Sequence, residues 1–317
     1  MLSIPYPPAS PDGYWHPHTS TIDWCEENYW LTRYIAEVVN SFTNLIFVYL
    51  AIVGMHNCYK HQHDRIFLIT FFGYAIVGFG SFAFHATLKY PMQLVDELSM
   101  IYTTCLMVWA TFEHKRPMLF KVVLAISIAG LALFITLYYH YLQDPTFHQN
   151  AYAILTAIVL IRSMVLQELH IRPYFRGKAS ESGSIDKSKL SPQEAQKEER
   201  RRDERDRSIL RRMWTLVAMG LGIFLTGFAI WSLDNNHCNK IRGWRKELGL
   251  PWGVLLEGHG IWHLFTGVGA YCYIVWGIWL RHCLNGKADE YELHWPSIFW
   301  TVPRIVRTQV SHAKRTD

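Results

Sequence analysis

His259 and His263 stand four residues apart in the run Glu257-Gly258-His259-Gly260-Ile261-Trp262-His263. On a helix, residues i and i+4 share one face, about 6 Å apart at Cβ, so both imidazoles can reach one metal ion. His85 ends a second apolar run, Ser81-Phe82-Ala83-Phe84-His85, and Asp96 opens the next. Polar groups inside a bilayer are costly and by default mark function. Three His ligands plus one water form a catalytic zinc set, in which the bound water has a pKa near ~7. A nearby carboxylate can take the water's proton and pass it to a leaving group. Asp96 is the candidate. Glu97, about 100° round the same helix, is the second choice. Ser81 lies one turn before His85 on the same face and can donate to a developing oxyanion. The sequence has Gly260 where an H-E-x-x-H protease has its glutamate, which disfavours that class. Haem clamped between histidines is the competing ligand.

These residues need elements that hold them at one depth. Half of the 317 residues are hydrophobic, with 13 Trp, 17 Tyr and 17 Phe. A membrane-spanning helix takes about 20 mostly apolar residues. Seven runs qualify, at 36–56, 66–88, 93–112, 119–141, 149–170, 211–232 and 252–284. The last is long enough to imply an extension or a tilt. The fifth carries Arg162, which must face the bundle or snorkel. The predicted fold is therefore all-α, a seven-transmembrane-helix bundle. Its parts are an N-terminal segment 1–34, a membrane domain 35–285 and a tail 286–317. No secretory signal is evident, so the first span is expected to target the chain.

Positive charge orients the bundle. With the N-terminus lumenal and the C-terminus cytosolic, the cytosolic segments carry 24 Lys and Arg and the lumenal ones 6. The excess belongs in the cytosol. That topology brings His85, Asp96 and His259 to the same lumenal face. Cys25 and Cys238 also fall on that side, where disulfides persist; they are expected to pair, with two free thiols as the alternative. Segment 171–212 is a charged cytosolic loop with 13 basic and 8 acidic residues. Its first half, 177–192, reads as disordered. Its second half can prolong the sixth helix through i,i+4 ion pairs, and attraction to anionic membrane lipids is a sharper role for it. The histidines His16, His18, His56, His61, His63 and His114 read as loop or surface residues. There is no phosphate-binding glycine loop, and no nucleic-acid partner is expected.

A second polar cluster reads Asp23-Trp24-Cys25-Glu26-Glu27-Asn28, with Glu37 further on. Such closely spaced oxygens suit calcium. A helix cap, with Asp23 as N-cap and Glu26 as its capping-box partner, fits the spacing as well.

With these residues in view, the chain resembles the alkaline ceramidase family over most of residues 10–285. The resemblance rests on Ile22 to Tyr29, Ile35-Ala36-Glu37, Asn40 with Asn44, Gly78 to His85, Gln93 with Asp96-Glu97, Trp231 with Asp234, and Glu257 to His263. The fungal phytoceramidase and dihydroceramidase type looks most similar. It implies an intramembrane zinc amidase that takes a ceramide from the bilayer and yields a sphingoid base and a fatty acid. The implied zinc ligands are His85, His259 and His263, with Ser81 and Asp96 as catalytic partners. The implied calcium ligands are Asp23, Trp24 through its carbonyl, Glu26, Asn28 and Glu37. The long charged loop departs from the family pattern. Residence in the endoplasmic reticulum membrane is expected, with the Golgi as the alternative. The competing class is a seven-helix lipid receptor resembling the adiponectin receptors; the lumenal N-terminus counts against it.

Overall fold

The structure is a computed structural model that describes residues 3–10, 12–175, 191–298 and 300–308. The expected disorder at 177–192 falls almost wholly outside the described residues. In chain order the helices are α1 (Val38–Thr43), α2 (Leu45–His61), α3 (Arg65–Thr87), α4 (Tyr90–Phe112), α5 (Met118–Leu142), α6 (Pro145–Ile171), α7 (Pro192–Asn236), α8 (Cys238–Leu248) and α9 (Gly258–Leu284). A 3-10 turn at Trp252–Leu256 precedes α9, and strands β1 (Tyr291–His294) and β2 (Arg304–Arg307) follow it.

Local chemistry sets the ends of these helices. The Asp64 carboxylate accepts from Ile66 N–H at the start of α3, and Asp144 does the same for Thr146 at the start of α6. Ser191 and Glu194 form a reciprocal capping box ahead of Pro192, which satisfies N–H groups the helix cannot. Leu88 (φ 48°) ends α3 in the left-handed region, and α4 starts two residues on. That tight return brings Asp96 back beside α3.

Six helical stretches are long and apolar enough to cross a membrane, namely Val38–His61, α3, α5, α6, α7 and α9. The third expected span, α4, has 23 residues but carries Gln93, Asp96 and Glu97, which lower its hydropathy, and is not among the six. The first expected span is interrupted. Asn44 separates α1 from α2, and its side-chain amide donates to Asn40 O. The seventh is shorter than its run suggested, because 252–256 forms the 3-10 turn and the helix begins only at Gly258. The sixth is far longer, a single helix of 45 residues that includes residues 192–212 of the charged segment, as expected for its second half.

Helix α9 lies at the centre and packs chiefly on α7 and α2, while α3 sits between α2 and α4. Phe47, Phe71, Tyr74, Trp276 and Trp279 form the middle of the core. A Cβ on Gly269 would stand 3.0 Å from Gly220 O, so glycine there lets α7 and α9 close together. On α5 only Ile135 and Tyr139 are buried; Ile128 and Ala132 are partly buried against the same cluster, and most of the helix is exposed.

The tail adds one short strand pair to an otherwise all-α fold. Strands β1 and β2 pair antiparallel, from Tyr291 with Arg307 to His294 with Arg304. The hairpin docks on the ends of α2 and α9. Asn57 Nδ2 donates to Ile305 O, and the Tyr291 ring stacks on His282 with centroids 3.5 Å apart. His63, expected in a loop or at the surface, lies in the loop between α2 and α3 and is buried in this dock. Its Nδ1 lies 2.8 Å from His282 Nε2 and its Nε2 3.0 Å from Ile305 O.

Candidate metal centre and active site

His85 near the end of α3 and His259 and His263 at the start of α9 converge. All three are buried, and one nitrogen from each lies within 4.8 Å of the others. Two rings are oriented by hydrogen bonds. His85 Nδ1 lies 2.5 Å from Glu37 Oε2. A carboxylate there makes Nδ1–H the donor and leaves Nε2 as the lone pair. The Thr43 hydroxyl donates to Val39 O (2.8 Å), so its oxygen accepts from His263 Nδ1 at 3.1 Å, and Asn44 Nδ2 lies 3.2 Å from the same nitrogen. His259 Nδ1 is buried without a hydrogen-bond partner among the described residues.

Three imidazole nitrogens facing one point suit zinc. A carboxylate on the second nitrogen of a ligating histidine is the usual outer support of such a site. The residues therefore fit a zinc ion.

Asp96 and Ser81 are neighbours across the α3–α4 contact, with the Ser81 hydroxyl beside the Asp96 carboxylate. Ser81 is buried one turn before His85. Glu97 is engaged elsewhere. The Tyr139 hydroxyl donates to its carboxylate, Gln93 Nε2 donates to it at 3.2 Å, and His148 Nε2 donates to its backbone carbonyl at 2.8 Å.

The N-terminal segment lies over the same end of the bundle. Glu26, fully buried, accepts from Val39 N–H and Asn40 N–H, both at 2.8 Å, and from Trp30 Nε1 at 3.0 Å. It thus caps α1 from a distance. The local cap expected for Asp23 and Glu26 does not form, because residues 23–30 are not helical. Asp23 is exposed and accepts from Asn28 Nδ2 at 3.2 Å, and Asn28 Oδ1 is buried without a partner among the described residues. Trp24 N–H donates to Glu37 Oε1 at 3.2 Å. The Glu37 carboxylate is close enough to those of Asp23 and Glu26 for each pair to repel. Burial first, then this repulsion, pushes the Glu26 carboxyl up to about 7 and that of Glu37 to about 8.

Cys25 and Cys238 form a disulfide whose Cα atoms are 5.4 Å apart. It ties the segment to the start of α8. Beneath it lies a network the sequence did not suggest. Arg245, fully buried, pairs with Asp234 Oδ1 (3.1 Å) and Glu257 Oε2 (2.9 Å) and donates to Cys25 O (2.7 Å). The Tyr6 hydroxyl donates to Glu257 at 2.7 Å. Burial, and then repulsion from Glu26, raises the Glu257 carboxyl to about 9. A buried ion group of this kind holds only when every charge is paired. It fixes Glu257 and Gly258, from which α9 and its two histidines start.

The chain matches the Ceramidase family model over residues 16–306. It is 34% identical over 313 residues to alkaline ceramidase YPC1 of Saccharomyces cerevisiae, covering 93% of this chain and 89% of that one. It is 32% identical over 276 residues to alkaline ceramidase 3 of Mus musculus, covering 87% and 89%. An alkaline ceramidase of Arabidopsis thaliana is 24% identical over 259 residues, covering 82% and 83%.

Proposed function

The chain belongs to the alkaline ceramidase family of multi-pass membrane amidases, and we propose that it hydrolyses phytoceramide or dihydroceramide to a sphingoid base and a fatty acid at a zinc site. The observation that carries the zinc reading is the buried triad His85, His259 and His263, with Glu37 on the far nitrogen of His85. Zinc in that position supplies a Lewis acid and a water whose pKa is lowered to about 7.

The chain's own residues do the rest. Asp96 takes the proton from the attacking water and returns it to the leaving amine nitrogen, so one carboxylate serves both half-reactions. Ser81 at first donates to the Asp96 carboxylate. Once Asp96 is protonated, that acceptor is weakened and the hydroxyl turns to the oxyanion on the former amide carbonyl. Glu37 and Thr43 keep two ligand rings in one tautomer and orientation. The lipid chains lie between helices, where apolar side chains exclude water.

Calcium is the second proposed ion, held by Asp23, Trp24 O, Glu26, Asn28 and Glu37. Support comes from Asn28 Oδ1, unpartnered among the described residues, and from the repulsion of Glu37 with Asp23 and with Glu26, which a hard cation would relieve. Because Glu37 also binds His85, that ion would brace the zinc site. We further place α4 among the spans, the N-terminus in the lumen and the protein in the endoplasmic reticulum membrane.

The test is a panel of N-acylated bases that differ only at C4, incubated with the protein purified in detergent. The expected result is equimolar base and fatty acid, faster from the 4-hydroxy and saturated bases than from the 4,5-unsaturated one. No release of fatty acid from any of them would sink the proposal.

A further inference from the structure

A base on a helix is only as well placed as the helix is fixed about its own axis. On one side α4 presses on α3. A Cβ on Gly80 would stand 3.1 Å from Asp96 N and 3.2 Å from Val95 C, so glycine lets the two backbones meet at the level of Asp96. That approach puts the Ser81 hydroxyl beside the Asp96 carboxylate. Away from α3, α4 meets α5 and α6 through a buried polar cluster that takes no part in the proposed chemistry.

Gln93 and Glu97 are buried i and i+4 neighbours on α4, about 60° and 100° round the helix from Asp96. Tyr139 and Ile135 are the two buried residues of α5. The Tyr139 hydroxyl donates to the Glu97 carboxylate, and Gln93 Nε2 donates to the Tyr139 oxygen at 3.1 Å. From α6, buried His148 donates through Nε2 to the backbone carbonyl of Glu97 at 2.8 Å. The residue next to Asp96 is therefore held twice, by its side chain and by its main chain. Hydrogen bonds are directional, so they fix the roll of a helix where apolar contacts alone would let it slide.

We infer that Tyr139 and His148 are positioning residues for Asp96, holding α4 against rolling about its axis through the side chain and the carbonyl of Glu97. This rests on the reading of Asp96 as the base. A carboxylate stands about 6 Å from its helix axis, so a roll of about 10° carries it about 1 Å. A misplacement of about 1 Å can cost about 10²-fold in rate. The pressed contact at Gly80 acts as the pivot, and the bonds from α5 and α6 set the angle.

Tyr139→Phe removes one hydroxyl and keeps the ring. In the full chain purified in detergent, its kcat for ceramide hydrolysis is expected to fall about 10- to 100-fold, with KM within about twofold of wild type. In the Asp96→Asn background the same substitution should leave the residual rate within about twofold, because the group it positions is already gone. In metal-free protein the backbone amides of residues 93–100 should exchange at least about threefold faster than in wild type. Wild-type kcat, an equal loss in the Asp96→Asn background, or unchanged exchange overturns the inference. Should Tyr139→Phe not fold, His148→Leu is read in the same three ways. His148→Gln, which keeps a donor for the carbonyl, should then recover to within about threefold of wild type, and equal rates in the two His148 variants overturn the inference. An inactive wild type, or full activity in Asp96→Asn, removes the base role of Asp96 as well. Wild-type kcat in Tyr139→Phe beside a slow Asp96→Asn removes only the role of α5 and α6.

Discussion

Glu37 connects two parts of the molecule, with one oxygen on His85 and the other on Trp24 N–H. Replacing it with alanine frees the His85 ring, and zinc affinity should fall about 10- to 100-fold in a competition titration. Glutamine keeps an acceptor and should lose less. Asp96→Asn is the complementary case. It leaves every ligand in place, so zinc content should be unchanged while kcat falls by about 10²- to 10⁴-fold. A variant that lost its zinc together with its activity would make Asp96 a structural residue. The pair His259 and His263 could be read from the sequence because i and i+4 is a local relation that any helix turns into proximity. Glu37 with His85 could not, since 48 residues separate them and only the packing of α1 against α3 joins them. Glu26 illustrates an intermediate case. The spacing pointed to a capping role, which it has, but the helix it caps begins at Val38 rather than beside it.

The elements that carry these residues have their own sensitivities. Gly258 starts α9, and a Cβ there would stand 2.6 Å from Asp234 Cβ. Gly258→Ala should cost about 1–3 kcal/mol by overpacking, seen as a lowered Tm in detergent, and should disturb His259 next to it. At the far end of α9, burial, with His61 and Arg307 adding to it and the Ile305 carbonyl opposing, lowers the His63 imidazole from 6.5 to about 4. The undocked state then binds more protons between those two values, so docking strengthens as pH rises. The hairpin should be fully docked above about pH 6.5 and released as pH falls through about 4. Hydrogen exchange of residues 291–307 against pH reads this directly, and flat protection would rule it out. Hydropathy was enough to find the long helices. It could not find the Asn44 break, the 3-10 turn before α9 or the docked hairpin, because those depend on side chains from distant segments: His263 beside Asn44, Arg245 beneath Glu257, and Asn57 on Ile305.

For the molecule as a whole, the one expected span that is not apolar enough to count among the candidate membrane helices of the described residues is also the one that carries Asp96. The polar side chains of Gln93 and Glu97 on α4 face protein rather than lipid, which fits the role proposed for Asp96 on the same helix. If α4 spans, the two termini lie on opposite sides. Glycosylation tags should then be modified at the N-terminus and not at the C-terminus, and modification at both would leave α4 outside the membrane. Arg245 and the Cys25–Cys238 disulfide clamp the N-terminal segment over the histidines, so the site is completed by parts of the chain more than 200 residues apart. The most direct test of the central claim is metal stoichiometry coupled to turnover. The purified wild type should carry one zinc per chain, lose ceramide hydrolysis when a chelator removes it, and recover on adding zinc back, while His259→Ala should neither bind zinc nor recover. Full hydrolysis by metal-free protein, or by His259→Ala, would contradict the account.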